Sequence, residues 1–311
     1  MTRSGTYSTA AFTEAVLNPQ VRLPACRCIA SIFYHFFFCQ HRAALRRRFK
    51  IGEQIPVSQV DHELDILIPF SPDWIVVYLD FVGLWVRMLG FLLTCFGRGA
   101  LDAMAGFLDS MGKLYRFAGE VYQKNLSTTR RPFYIRRFRF LLIHLVDPHL
   151  MCVPSLHVMV VILTYTGFRK IMKGLDAEGR FSARVAECLR GALDITEAIL
   201  YVKQHSVNCV AAAMYAMSCF DGAAFPPEEA EAFTARLFTG ESPRTAALPR
   251  LDREAGERVR EHILGLYRQF YRRALEAGPG TGAVGAGAGT GGVGAEDWTE
   301  PLIDFLRPLR I

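Results

Sequence analysis

The sequence predicts an all-α protein, an integral membrane helical bundle of about five or six transmembrane helices. Three observations carry this expectation. Of 311 residues, 51% are hydrophobic and 21% are charged, a balance shifted toward the membrane from that of soluble chains. Apolar runs recur along the chain, several with helical spacing. A segment inside lipid must also satisfy its own backbone hydrogen bonds, which selects helices.

Residues 1–25 are polar and small and lack the plan of a signal peptide, so they read as an N-terminal polar tail. The run at 26–40 (CRCIASIFYHFFFCQ) is short against the about 20 residues of a bilayer span. Arg46-Arg47-Arg48-Phe49-Lys50 follows it. The strongest span is 74–96, interrupted by Asp80 and Arg87. Charges at that depth are costly unless they face protein or a cavity, so one side of this helix is expected to face protein. Gly97-Arg98-Gly99 breaks it. Residues 100–122 keep helical periodicity but carry charges such as Asp102, Asp109 and Lys113, as an amphipathic or protein-packed helix does. A basic loop spans 124–152 and ends in Asp147-Pro148-His149. Helical apolar sequence returns at 153–168, at 186–202 with mixed polarity, and at 205–220 without any acidic residue, Lys or Arg.

The membrane-embedded unit is therefore expected over residues 26–224, with its motifs within 65–222. After Pro226-Pro227 the composition turns charged. Residues 225–277 read as a cytoplasmic amphipathic helical region outside the bundle, with Val259, Ile263, Tyr267, Phe270 and Ala274 on one face. Residues 278–311 read as a Gly-rich linker, with nine glycines in 278–296, and a short C-terminal segment.

Composition also excludes several classes. The chain is too apolar for disorder. Its eight cysteines lie in apolar stretches and read as buried thiols, and Cys26-Arg27-Cys28 lacks zinc-site spacing. A net charge of +6 fits anionic lipid headgroups, and no nucleic-acid-binding motif accompanies it. No nucleic-acid partner is expected, and no pair of histidines has convincing metal-ligand spacing.

Three basic segments stand out. In the first, six residues separate Lys124 from Arg131-Pro132. The second is Pro154-Ser155-Leu156-His157, which opens an apolar helix. The third runs from Tyr201 through Lys203, Gln204 and His205 to Asn208 and Cys209. Taken singly, these are interfacial charges, a capped helix start and a histidine at a helix end. Topology joins them. If 100–122, 153–168, 186–203 and 206–220 each cross the bilayer, all three segments reach one membrane face. The opposite loop carries Arg169, Lys170, Lys173, Arg180 and Arg184, which assigns it to the cytoplasm. Arg46–Lys50 then falls outside as well, unless the short first run does not span.

Lys124, Arg131 and the backbone amides beside Ser155 can cradle a phosphate. Two histidines on neighbouring helix ends can divide phosphoryl transfer, one attacking phosphorus and the other protonating the leaving oxygen. Cations suffice to stabilise the equatorial oxygens, so no metal or other cofactor is expected.

These elements resemble those of the type 2 phosphatidic acid phosphatase superfamily, in its lipid phosphatase and inositolphosphotransferase-like branch. Lys124 with Arg131-Pro132 is similar to the first motif, and Pro154-Ser155-Leu156-His157 to the second, with Leu156 at the commoner Gly position. Val202-Lys203-Gln204-His205 resembles the third motif, and Ile68-Pro69-Phe70-Ser71-Pro72 a stretch common in that branch. The resemblance implies a metal-independent phosphohistidine mechanism on a lipid phosphate. His205 would be the nucleophile and His157 the general acid, with Lys124, Arg131, Ser155 and Lys203 as phosphate ligands. The loop charges point to a multi-pass membrane protein with its site on the outer face, expected as the periplasmic side of a bacterial inner membrane; in a eukaryote that face would be the lumen. Two positions depart from the pattern: the orienting Asp is Cys209, and the usual Arg is Ile199. Asn208 is the neighbouring group able to accept from the ring, and Lys203 can replace the charge. A catalytically impaired member that binds a phospholipid headgroup or a partner protein is the alternative these departures favour. A transporter or scaffold has only Asp80 and Arg87 to suggest it. His144 and His149 lie close enough to the second motif to line the site.

Overall fold

The computed structural model of the chain describes residues 4–240, 242–276 and 298–306. The chain begins with α1 (Ser4–Leu17) and α2 (Pro19–Ile32), and α2 continues through a π-helical turn at Phe33–Phe38 into α3 (Cys39–Phe49). Next come α4 (Ile75–Tyr78), α5 (Phe81–Phe96), α6 (Leu101–Tyr122) and α7 (Phe138–Val146). The second half supplies α8 (Leu156–Leu175), α9 (Ser182–Tyr201), α10 (Val207–Phe220), α11 (Pro227–Ala235), α12 (Arg253–Glu276) and α13 (Thr299–Phe305). Two short strands, β1 (Val57–Gln59) and β2 (Leu126–Thr128), pair in parallel with Val57 opposite Leu126. Among the described residues the protein is all-α apart from this pair.

Helix α10 is the axis of the molecule. Every residue from Val207 to Cys219 is buried, and Ala211, Ala212, Ala213 and Ala216 let its neighbours α8 and α12 approach closely. Helix α9 lies against α8, and the turn between them is closed by Asp176, whose carboxylate accepts from the Arg180 and Phe181 amides (3.1 and 2.7 Å). Helices α5 and α6 flank α8, and α1 and α2 in turn cover α5 and α6.

Three expectations change. From Ser4 onward the expected N-terminal tail (1–25) is helical and packed: α1 packs on α5, and α2 lies along α6 with Val21, Ala25 and Cys28 buried. The region 225–277 is not outside the bundle either. Its predicted apolar face, Val259 to Ala274, is the face α12 buries, and what it covers is α10. Trp74 Nε1 donates to the Pro249 carbonyl (2.9 Å) and the Leu251 amide to the Tyr201 hydroxyl (2.7 Å), tying this region to α9 and the residues before α4. Of the cysteines, Cys26 and Cys95 are exposed; all eight are free. The Gly-rich linker lies outside the described residues.

Among the described residues, one helical stretch, Pro72–Tyr122, is long and apolar enough to cross a membrane. Within it the helix breaks at Leu79–Asp80, where Asp80 accepts two bonds from Arg87 (2.7 and 2.6 Å) and one from Arg244 (2.7 Å). Both charges thus face protein. Helix α10 has 14 residues, about 21 Å, which is short for a 30 Å hydrocarbon core. Its lack of charge has another cause: protein surrounds it on all sides.

Candidate phosphate site at the histidine junction

The three basic segments meet at one end of the bundle, where α8 begins and α9 ends. Tyr122, the last residue of α6, donates its hydroxyl to the Pro154 carbonyl (2.6 Å). The Val153 amide donates to Ser127 Oγ (2.7 Å), and Ser127 pairs with Met151, so β2 holds the entry to α8 in place. The Ser155 amide in turn donates to the Cys209 carbonyl of α10 (3.3 Å). After α9, Lys203 takes a left-handed backbone (φ 54°), a conformation that is uncommon outside glycine. This reverses the chain so that His205 stands just before Ser206, the N-cap of α10, whose side chain accepts from the Asn208 amide (3.3 Å).

His157, in the first turn of α8, and His205 bring their rings together, with centroids 5.5 Å apart and planes at 67°. The His157 ring also packs against Tyr78 (4.7 Å) and Phe81 (4.5 Å), residues of α4 and α5. Arg131 reaches the turn that carries His205: its guanidinium donates to Gln204 Oε1 (3.1 Å) and to the Asp147 carbonyl (2.9 Å). Gln204 is the residue before His205, so the arginine is fixed to the same turn as the histidine.

Asp147 organises the junction. Its carboxylate accepts from the His149 amide (2.8 Å) and from Gln40 Nε2 of α3 (2.5 Å), and it lies 3.6 Å from the Arg131 guanidinium. Burial alone would raise the Asp147 carboxyl. The hydrogen bonds and charge of His149, with Arg131, outweigh it and hold the group well below the usual carboxylate range. His149 is buried, and its ring contacts the Thr129 hydroxyl (2.8 Å). His205 is held well below the ordinary histidine value, first by burial and then by the neighbouring His157 and His149, with Asp147 partly offsetting them. It therefore stays neutral, the state a nucleophilic imidazole needs.

Three buried polar atoms at this junction have no hydrogen-bond partner: His205 Nδ1, Ser155 Oγ and Gln40 Oε1. Buried polar groups are nearly always paired. Ser155 does not cap α8, so the serine hydroxyl and the first-turn amides of a 20-residue helix are both left for another acceptor. With the Arg131 guanidinium alongside, these are the donors an oxyanion takes.

The structure thus brings together His157, His205, Arg131 and Ser155. It does not bring in the other expected ligands. Lys124 is exposed, with its ammonium 6.0 Å from the centre of the Phe305 ring of α13. Lys203 donates its ammonium to the Asp65 backbone carbonyl, on the far side of the turn; burial lowers it, and Asp65 and Asp61 pull the other way. Asn208 donates to the Val60 carbonyl (3.2 Å), and its Oδ1 meets His262 Nε2 (2.8 Å), so it is not available to orient His205. Cys209 is fully buried and makes no hydrogen bond to His205. Because His205 precedes the N-cap of α10, the two residues do not share a helical face. Sequence reasoning missed the roles of Asp147, Gln204 and Gln40. The Asp-Pro-His turn was visible as a signal, whereas Gln40 lies 107 residues from its partner and left none.

Comparison with protein-family models, with curated proteins and with solved structures finds no match to this chain.

Proposed function

We propose that the junction is the active site of a membrane-bound phosphatase or phosphotransferase acting on a lipid phosphate through a phosphohistidine. The contact between His157 and His205, with Arg131 tied to the same turn, carries the reading. A ring nitrogen of His205 attacks phosphorus as the ester P–O bond breaks. His157 is the group placed to protonate the departing alkoxide; burial pushes its ring down to about 4, with Asp147 pulling the other way, so the protonated form that donates is the minor one at neutral pH. Water, or an alcohol in transfer, then attacks the phosphohistidine while His157 takes back a proton, which releases the phosphate or its new ester. Arg131, Ser155 Oγ and the α8 amides stabilise the equatorial oxygens. The aromatic wall of Tyr78 and Phe81, next to the exposed Val76, Leu79 and Val82, suits an acyl chain beside the headgroup.

In this reading the protein lies in the bilayer. The finer expectation of five or six spans needs α8, α9 and α10 to cross, but α12 covers α10 with a charged outer face. We assign the crossing to Pro72–Tyr122 instead.

A second reading, headgroup binding without turnover, is favoured by the unpartnered His205 Nδ1 and the outward Lys124. The test is phosphate release from phosphatidic acid without added metal. Release lost in His205→Ala supports the enzyme. Phosphatidic acid binding without release, weakened by Arg131→Gln, supports the second reading. Neither release nor binding overturns both.

A further inference from the structure

Helix α7 has its apolar stripe on the wrong side for a soluble protein. Phe140 and Ile143 face inward, and Phe140 meets Phe70 (5.8 Å) and Tyr134 (5.2 Å) edge-on. Phe138, Leu141, Leu142 and Leu145 follow the i, i+3, i+4, i+7 pattern that normally turns to a core. Here they face out: Phe138 is 72% exposed and Leu145 71%. Phe133, in the preceding loop, is 82% exposed. An arginine-rich flank accompanies this stripe. Arg130, Arg136 and Arg139 are exposed, Arg137 pairs with Asp73, and residues 130–146 contain no Asp or Glu.

We infer that α7 and the loop before it dock in the plane of a bilayer, on an anionic phospholipid surface. The stripe enters the headgroup–acyl boundary, while the arginines reach up its sides to lipid phosphates. Charge complementarity selects this occupant: four arginines, Arg130, Arg136, Arg137 and Arg139, flank the exposed aromatic and leucine side chains and outnumber the acids they meet, Asp73 at Arg137 and Asp61 at the Arg130 amide. A second segment has a similar composition. Phe33, Tyr34 and Phe38 are exposed ahead of Arg46–Arg48, and Gln40, in the helix between them, bonds to Asp147 at the end of α7. Two segments distant in sequence thus present the same apolar and basic pattern. A bilayer accepts both without requiring a shaped pocket for each side chain. The docking follows from exposure and charge and does not depend on phosphoryl transfer at the histidines.

The test uses the full chain carrying Leu145→Trp, reconstituted into vesicles of equal parts phosphatidylcholine and phosphatidylglycerol. Fluorescence is read against the parent chain, and the thermal unfolding midpoint confirms the fold. The added indole should emit at shorter wavelength and be quenched by brominated lipid, more by brominated phosphatidylglycerol than by brominated phosphatidylcholine. Adding Arg136→Gln and Arg139→Gln, or raising the salt to shorten the Debye length, should abolish that preference. No quenching beyond the parent places α7 in water and overturns the inference. Equal quenching by both lipids at low salt overturns the anionic surface. A blue shift in lipid-free protein that vanishes on dilution means that a second copy covers the stripe instead.

Discussion

Asp147→Asn keeps the shape of the side chain and removes its charge. Arg131 loses its counter-charge, while the bonds from Gln40 and from the His149 amide keep an acceptor oxygen. Hydrogen bonds to charged groups contribute about 1.5–3 kcal/mol, so the variant should be less stable by about 2–3 kcal/mol near neutral pH. For a domain of this size that corresponds to a fall of roughly 4–10 °C in the unfolding midpoint. The pH dependence identifies the cause. The Asp147 carboxyl is depressed in the folded protein. Its contribution is therefore complete above the unfolded value, about 4, and is lost as pH falls toward the folded one. The midpoints of parent and variant should differ most above pH ~5 and converge below ~4. Circular dichroism melts across this range make the measurement. A gap that stays constant with pH would refute the reasoning, because the lost stability would then be packing rather than charge.

The other predictions concern the histidines and the C-terminal region. His205→Ala should abolish phosphate release from phosphatidic acid. Cys209→Asp should leave it unchanged, because His205 precedes the N-cap of α10 and shares no helical face with position 209; a gain in a folded variant would refute that geometry. Phe270→Ala, at a fully buried position on α12, should cost about 3–5 kcal/mol in chemical denaturation, whereas a helix lying outside the bundle would show little change. Burial and the stacked His62 (3.8 Å) push His262 down to about 4. The unfolded chain thus takes up the proton first, and stability should fall as pH drops from about 6.5 toward 4. His262→Gln should flatten that slope, as read from melting midpoints over the same interval.

Local pattern was enough for much of the fold. The apolar face of α12 was legible because an amphipathic helix writes its buried side into the sequence every three or four residues. The ends of α6, α8 and α10 were legible from charge, proline and serine. The meeting of Arg131, His157 and His205 on one end of the bundle followed from helix order alone, since successive antiparallel helices return their ends to the same side. Hydropathy could not say what surrounds an apolar helix. The interior of a protein and that of a bilayer exclude water alike, so the apolar sequence of α10 fits a span and fits equally a helix that α8 and α12 cover. Nor could local sequence show where long side chains turn. Lys124 and Lys203 have the spacing of phosphate ligands, yet one lies over Phe305 and the other reaches the Asp65 carbonyl. Asp147 gained its place only in three dimensions, because Gln40, Arg131 and His149 approach it from separate elements and a contact across more than a hundred residues leaves no periodic trace.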